Sequence, residues 1–249
     1  MTAYPISTYT RPNAYSAGQP RAALAPRDHA PIVVSLALLL ASATCVALYV
    51  LRVTVSGTLL YFFMNWNLVL AWIPLVCALI AYGLYSDRSK TARASTLFFG
   101  GVWLLFYPNA PYMLTDLMHL YDSGPILVWL DLAMLLAYAF TSLLLGFASL
   151  YLMQSLVSRA SGRLAGWVFV VVTQALSGFG IYLGRVLRWN SWDIVANPLG
   201  LAVDILDRFI NPFAHLRTWG VSFLFTVLCL SAYVVLFAFT QLRTEPAAL

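Results

Sequence analysis

Residues 32–51 read IVVSLALLLASATCVALYVL, a run without a single charge. As a helix it spans ~30 Å, the thickness of the hydrocarbon core of a bilayer. The run is continuous rather than alternating, so it does not belong to a transmembrane barrel. Five further apolar runs follow at about 60–84, 94–114, 126–153, 165–187 and 219–241. The chain is 249 residues long, 61% hydrophobic and only 9% charged. A soluble core has no use for so many membrane-length runs. The sequence therefore predicts an all-α fold: a polytopic integral membrane helix bundle of about six transmembrane helices.

Three regions follow from that reading. Residues 1–30 carry Pro, Ala, Ser and Tyr with no apolar run, and are expected to be a disordered cytoplasmic tail. Residues 31–242 form a single transmembrane helical domain, and 243–249 a short C-terminal tail. With six spans, nine Lys and Arg fall on the side of the termini and five on the opposite side. The positive-inside rule then puts both termini in the cytoplasm of a multi-pass protein of the bacterial inner membrane. The formal net charge of +5 is explained by orientation, so no nucleic-acid partner is expected. Cys45, Cys77 and Cys229 lie inside apolar runs without CxxC spacing and read as small buried residues.

The exception to the charge rule is the stretch GRVLRWNSWDIVANPLG at 184–200. Its arginines lie on the side that orientation would keep poor in them. The stretch leads into NPLGLAVDILDRFINP at 197–212, where Asn197 is placed to cap a helix beginning at Pro198. Leu199, Val203, Leu206 and Ile210 share one face, and Asp204, Asp207 and Arg208 the other. This predicts a short amphipathic helix lying along the outer interface, as a packing element or a lid.

Other polar residues converge on the same side. Asn65 and Asn67 open the second run. In YPNAPY at 107–112, two prolines forbid a regular helix, and Asn109 is suited to the freed backbone groups. Asp116 and His119 stand at i, i+3, a spacing that suits acid–base work or a share in a metal site, with Asp193 or Asp131 to assist. Asp131 sits without a charged neighbour in VWLDLAMLL and demands a partner, for which Arg185 or Arg188 is the expected candidate. The same arginines suit an anion such as a lipid phosphate, with Trp189 and Trp192 at the head-group layer. Gly180 and Gly184 have the GxxxG spacing of close helix packing, and Gln174 and Thr173 suit hydrogen bonds between helices. No nucleotide, haem or serine-hydrolase motif occurs, so no cofactor is named and a metal stays undetermined.

The runs NWNLVLAWIP (65–74), FYPNAPYMLTDLMHL (106–120), SGFGIYLGRVLRWNSWD (177–193) and NPL (197–199) resemble a bacterial membrane-protein family filed as domain of unknown function thirteen sixty-one. The likeness covers roughly residues 60–240. It implies several membrane helices and no mechanism, and it points to Asn109, Asp116, His119, Arg185, Arg188, Asn190 and Asp193.

Two functions are compatible with these residues, and a third ranks below them. One is a binding or assembly component with an outward-facing polar pocket for an anionic lipid or envelope partner, built from Asn65, Asn67, Asn109, Asp131, Arg185, Arg188, Trp189, Asn190 and Trp192. Another is a membrane-embedded enzyme acting on a lipid-linked substrate through Asp116, His119 and Asp193. The last is a small-solute transporter. Membrane lipids are the expected partners, with a membrane protein or a second copy of the chain beside them.

Overall fold

The computed structural model describes residues 30–85, 89–124 and 126–241. The chain divides into two units, Met1–Ala37 and Leu38–Leu249. Of the first, the described part is the opening of helix α1 (Ala30–Ser56). The second is the helical bundle. The two tails lie outside the described residues, and so do Arg88 and Arg243, which entered the charge count.

After α1 come α2 (Phe63–Leu84), α3 (Lys90–Phe106), the single turn α4 (Asn109–Tyr112) and a 3-10 segment at Met113–Asp122. Then follow α5 (Val128–Ser161), α6 (Arg163–Arg185), the single turn α7 (Asp193–Ala196), α8 (Pro198–Ile210), a 3-10 turn at Pro212–His215 and α9 (Leu216–Gln241). No strand occurs among the described residues, and the all-α membrane bundle stands. Five segments are long and apolar enough to cross a membrane: Ile32–Ser56, Phe63–Leu84, Val128–Ser161, Arg163–Arg185 and Pro212–Gln241. The third expected span is the shorter one. Its helix starts at Lys90, where Ser89 accepts a bond from the Ala92 amide, and stops at Phe106 ahead of Pro108. Its 17 residues rise about 25 Å.

Helix α5 organises the bundle, packing on α2, α6, α4 and the 3-10 segment, while α3 packs on α2 and α9 on α6. One apolar cluster centres on Met64, Leu68, Leu75, Met134, Leu135 and Leu145. A second centres on Trp103, Phe147, Leu150, Val170 and Tyr233. Large apolar side chains such as Val69, Val76, Phe223 and Leu224 remain exposed, as residues facing lipid must.

The glycines show why small residues were required. A Cβ on Gly146 would meet that of Ala110 at 2.8 Å, and one on Gly180 would meet Pro108 at 3.0 Å. One on Gly184 would meet the Tyr112 ring at 3.0 Å. So α5 and α6 clamp the α4 turn between them. Gly178 has the tightest fit in the contact with α9, where a Cβ would stand 2.3 Å from the Ser222 carbonyl oxygen. Backbone cannot yield there, so Gly178→Ala is expected to cost about 1–3 kcal/mol, the range for overpacking. Thermal unfolding in detergent checks this against Gly101→Ala, whose Cβ would point into open space and should be neutral.

Candidate functional site

The α1–α2, α3–α5 and α6–α9 connections meet at one end of the bundle, and the polar residues meet there too. The α4 turn exists because Pro108 and Pro111 break the helix, and Asn109 repairs the break. Its side-chain amide donates to the Phe106 carbonyl at 3.0 Å and to the Ser191 hydroxyl at 3.1 Å, tying the turn to the loop after α6.

Next along the chain, Asp116 is buried and paired with Arg185. Asn67 donates to its other oxygen at 3.1 Å. The Arg185 guanidinium also donates to Thr115 Oγ1 at 2.7 Å, approaches His119 Nε2 at 3.4 Å and stacks 4.4 Å above the Tyr112 ring. His119 Nδ1 meets Asp122 at 3.0 Å, while Phe63 covers its ring. Asp116 and His119 do share a face, and Arg185 bridges them. Burial pushes the Asp116 carboxyl above its ordinary range, while Arg185, Asn67 and His119 pull it down, and burial prevails.

Asp131 is fully buried and paired at 3.1 Å, but with Arg52 of α1 rather than Arg185 or Arg188. Arg185 is already committed to Asp116, and Arg52 comes down beside Asp131 from another helix. Ser123 donates to the second Asp131 oxygen at 2.7 Å. Arg52 reaches Ser56 and the Thr58 carbonyl and lies 4.8 Å over the Tyr61 ring. The Tyr61 hydroxyl donates to the His119 carbonyl at 3.0 Å and so links the two ion pairs. Its burial pushes it up to about 12, which keeps it a donor.

After α6 the chain turns through Arg188, whose φ of 63° is left-handed and unusual for a residue with a side chain. The Trp189 amide bonds back to the Leu183 carbonyl at 3.1 Å to close the helix. Arg188 is exposed and makes no hydrogen bond or ion pair with the described residues. Trp189 Nε1 donates to Asp204 of α8 at 2.7 Å, and Trp192 lies against Trp66. Asp193 accepts the Asn190 amide at 2.6 Å and organises its own turn instead of joining Asp116 and His119. Asn65 is likewise held apart, accepting from the Tyr138 hydroxyl at 2.7 Å.

Helix α8 forms with Asn197 as its cap, accepting the Gly200 amide. Its apolar residues Leu199, Val203, Leu206 and Ile210 point outward, and Arg208 on the polar face is buried. The exposed side of the helix is apolar, unlike that of a helix on a soluble protein.

Between α2, α3, α4, α6 and α8 lies a cavity of about 500 Å³. Trp66, Asn67, Asn109, Tyr112, Trp189 and Trp192 line the part nearest the ion pairs. Leu104, Leu176 and Phe179 line it elsewhere, and Leu201, Ile205 and Phe209 of α8 contribute a further wall. No ionisable Asp, Glu, Lys, Arg or His lines it. Asp116 and Arg185 stand behind the wall and hold Asn67 and Tyr112 in place.

Of the expected site residues, Asn67, Asn109, Trp189, Asn190 and Trp192 reach the cavity. Asp116, His119 and Arg185 form one polar cluster beside it, Asp131 belongs to a separate pair, and Arg188 is exposed and does not line it. Sequence reasoning overlooked Arg52, Tyr61 and Tyr112, of which Arg52 alone left a signal, as the single charge of the first connection. Among the described residues no three His, Cys, Asp or Glu side chains converge as metal ligands.

The family described as "Protein of unknown function (DUF1361)" matches residues 66–232, which include every wall of the cavity. No curated protein matches the chain. No solved structure matches it either.

Proposed function

The chain belongs to that family of unknown function, and on this footing we propose that it is a binding component of the bacterial inner membrane that accepts an anionic lipid. The cavity carries the reading. Its volume suits a lipid chain, its wall is apolar and aromatic, and it has no charge to neutralise a buried head group. The anionic end stays outside the cavity, toward the exposed Arg188 that precedes Trp189 in the chain, and Trp189 and Trp192 suit the head-group layer. Arg185 serves otherwise: with Asp116 it is a positioning residue for Asn67 and Tyr112. In this proposal α3 makes the sixth crossing, the termini are cytoplasmic, and the outward apolar face of α8 rests in the outer interface.

Native mass spectrometry of the detergent-purified chain tests it. Ile205→Trp fills the cavity from α8 and should lower the occupancy of a co-purifying lipid about tenfold, equivalent to ~1.4 kcal/mol. Val203→Trp, on the outward face of the same helix, should leave it unchanged. Equal occupancy in Ile205→Trp and wild type would remove the proposal.

A further inference from the structure

At the polar end of the cavity the side chains are uncharged, and their hydrogen bonds have a direction. Asn67 gives its amide nitrogen to the Asp116 carboxylate at 3.1 Å, which fixes the amide and leaves Oδ1 as a spare acceptor. Asn109 gives its nitrogen to the Phe106 carbonyl and to Ser191, and its Oδ1 is spare in the same way. The Ser191 hydroxyl accepts that bond and keeps its own proton to give. The Tyr112 hydroxyl has no partner among the described residues. All four residues line the cavity, and none of the three unpaired oxygens, on Asn67, Asn109 and Tyr112, is sealed inside the protein. Trp66 and Trp192 stand in the same lining with ring centres 6.5 Å apart, both partly exposed, and their indole N–H groups are free of described partners.

We propose that this end of the cavity takes an uncharged polyhydroxyl group, a sugar or a glycerol unit, carried on the lipid between its chain and its anionic end. The inference rests on the lipid-binding reading and names the group which that reading leaves open. Two fixed carbonyl oxygens require donors. A ligand hydroxyl gives its proton to one of them and accepts from Ser191 or Tyr112 with the same oxygen. The indole rings offer apolar faces, which suit the C–H face of a sugar ring or the carbons of glycerol. An anion here would face the two asparagine oxygens, and no Lys, Arg or His lines the cavity to pair it. A cation would meet no carboxylate in the lining and would approach the Arg185 guanidinium, 4.4 Å from the Tyr112 ring. An ether or ester head group offers acceptors alone and leaves the asparagine oxygens unpaired.

Four probes share a dodecyl chain: dodecyl glucoside, 1-dodecylglycerol, a methyl-capped tetraethylene glycol dodecyl ether, and dodecanoate. The first two carry hydroxyl donors, the third only ether acceptors, and the fourth tests the lipid reading by itself. Binding to the full chain in an amine-oxide detergent is measured by native mass spectrometry, on wild type and on Tyr112→Phe/Ser191→Ala, with free glucose as a probe without a chain. Wild type should bind at least one polyol probe about tenfold more tightly than the capped ether, and the double variant should lose most of that preference. Preference for the glucoside assigns a sugar, and preference for the glycerol ether assigns a glycerol unit. The unfolding temperature is measured beside binding. If the double variant unfolds early, Tyr112→Phe alone takes its place, since it removes no hydrogen bond between described side chains. A capped ether that binds as tightly as both polyols would overturn the inference, and dodecanoate binding in the same experiment would leave the lipid reading intact. A preference untouched by the substitutions would overturn it as well. Glucose binding as tightly as the glucoside would overturn the placement on a lipid, because the chain would then add nothing. No binding of any chain-bearing probe would overturn both.

Discussion

Asp131→Ala is expected to destabilise the protein by about 3–5 kcal/mol, and Arg52→Ala by a similar amount. The two groups face one another at 3.1 Å with side-chain exposures of 0% and 5%, so each is the other's compensation. Removing one leaves a buried charge with no water and no counter-ion. Paired replacement gives the opposite expectation. Arg52→Met with Asp131→Leu leaves no charge behind and should recover most of the loss, since a buried pair seldom outweighs well-packed apolar residues. Thermal unfolding in detergent of wild type, Arg52→Met, Asp131→Leu and the double variant closes a double-mutant cycle. Additive losses would mean that the ion pair does not couple α1 to α5. The position matters for more than stability. Arg52 also holds Thr58 and covers Tyr61, and Tyr61 bonds to the backbone at His119. Loss of the pair should loosen the segment that carries Asp116 and His119, so variants here will mimic a functional defect unless unfolding is measured beside binding.

How far the sequence could be read depended on whether a feature was local. Five of the six membrane-length runs, the proline turn at 107–112 and the cap at Asn197 are local and lie where the pattern puts them; the third run yields only the shorter helix Lys90–Phe106. The glycines at 180 and 184 read correctly as close-packing positions, though the surface they admit is the α4 turn. Asp131 shows the limit. Its need for a partner was legible from the cost of a lone carboxylate. The partner was not, because helix register across the bundle leaves no trace in a single sequence. Arg185 and Arg188 look equivalent at i, i+3, yet α6 ends between them. Arg185 stays helical and turns to Asp116, whereas Arg188 enters the left-handed region and points to the surface. The cavity was invisible for the same reason. Its walls come from five helices.

Arg185→Ala should cost nearly as much as Arg52→Ala, about 2–4 kcal/mol, because it strands the buried Asp116 carboxylate and releases Tyr112. Arg188→Ala, which breaks no hydrogen bond or ion pair with the described residues, should leave stability within about 0.5 kcal/mol and weaken the binding of an anionic lipid instead. The contrast separates a positioning arginine from a ligand-facing one three residues away. The pH dependence supplies an independent check on Asp116. Burial raises its folded pKa above the ordinary 3.8, so the folded chain holds that proton more tightly than the unfolded chain. The sign follows. Its favourable contribution is fully present below 3.8 and is lost as pH rises through the raised value. Asp116→Asn keeps the shape of the protonated acid and does not titrate. The unfolding temperature of wild type relative to Asp116→Asn should therefore fall as pH climbs from 3.8. A relative stability that rises over the same range would show that attraction to Arg185 outweighs burial. The cluster would then be an ion pair stabilised by its charges rather than one weakened by burial of the carboxylate.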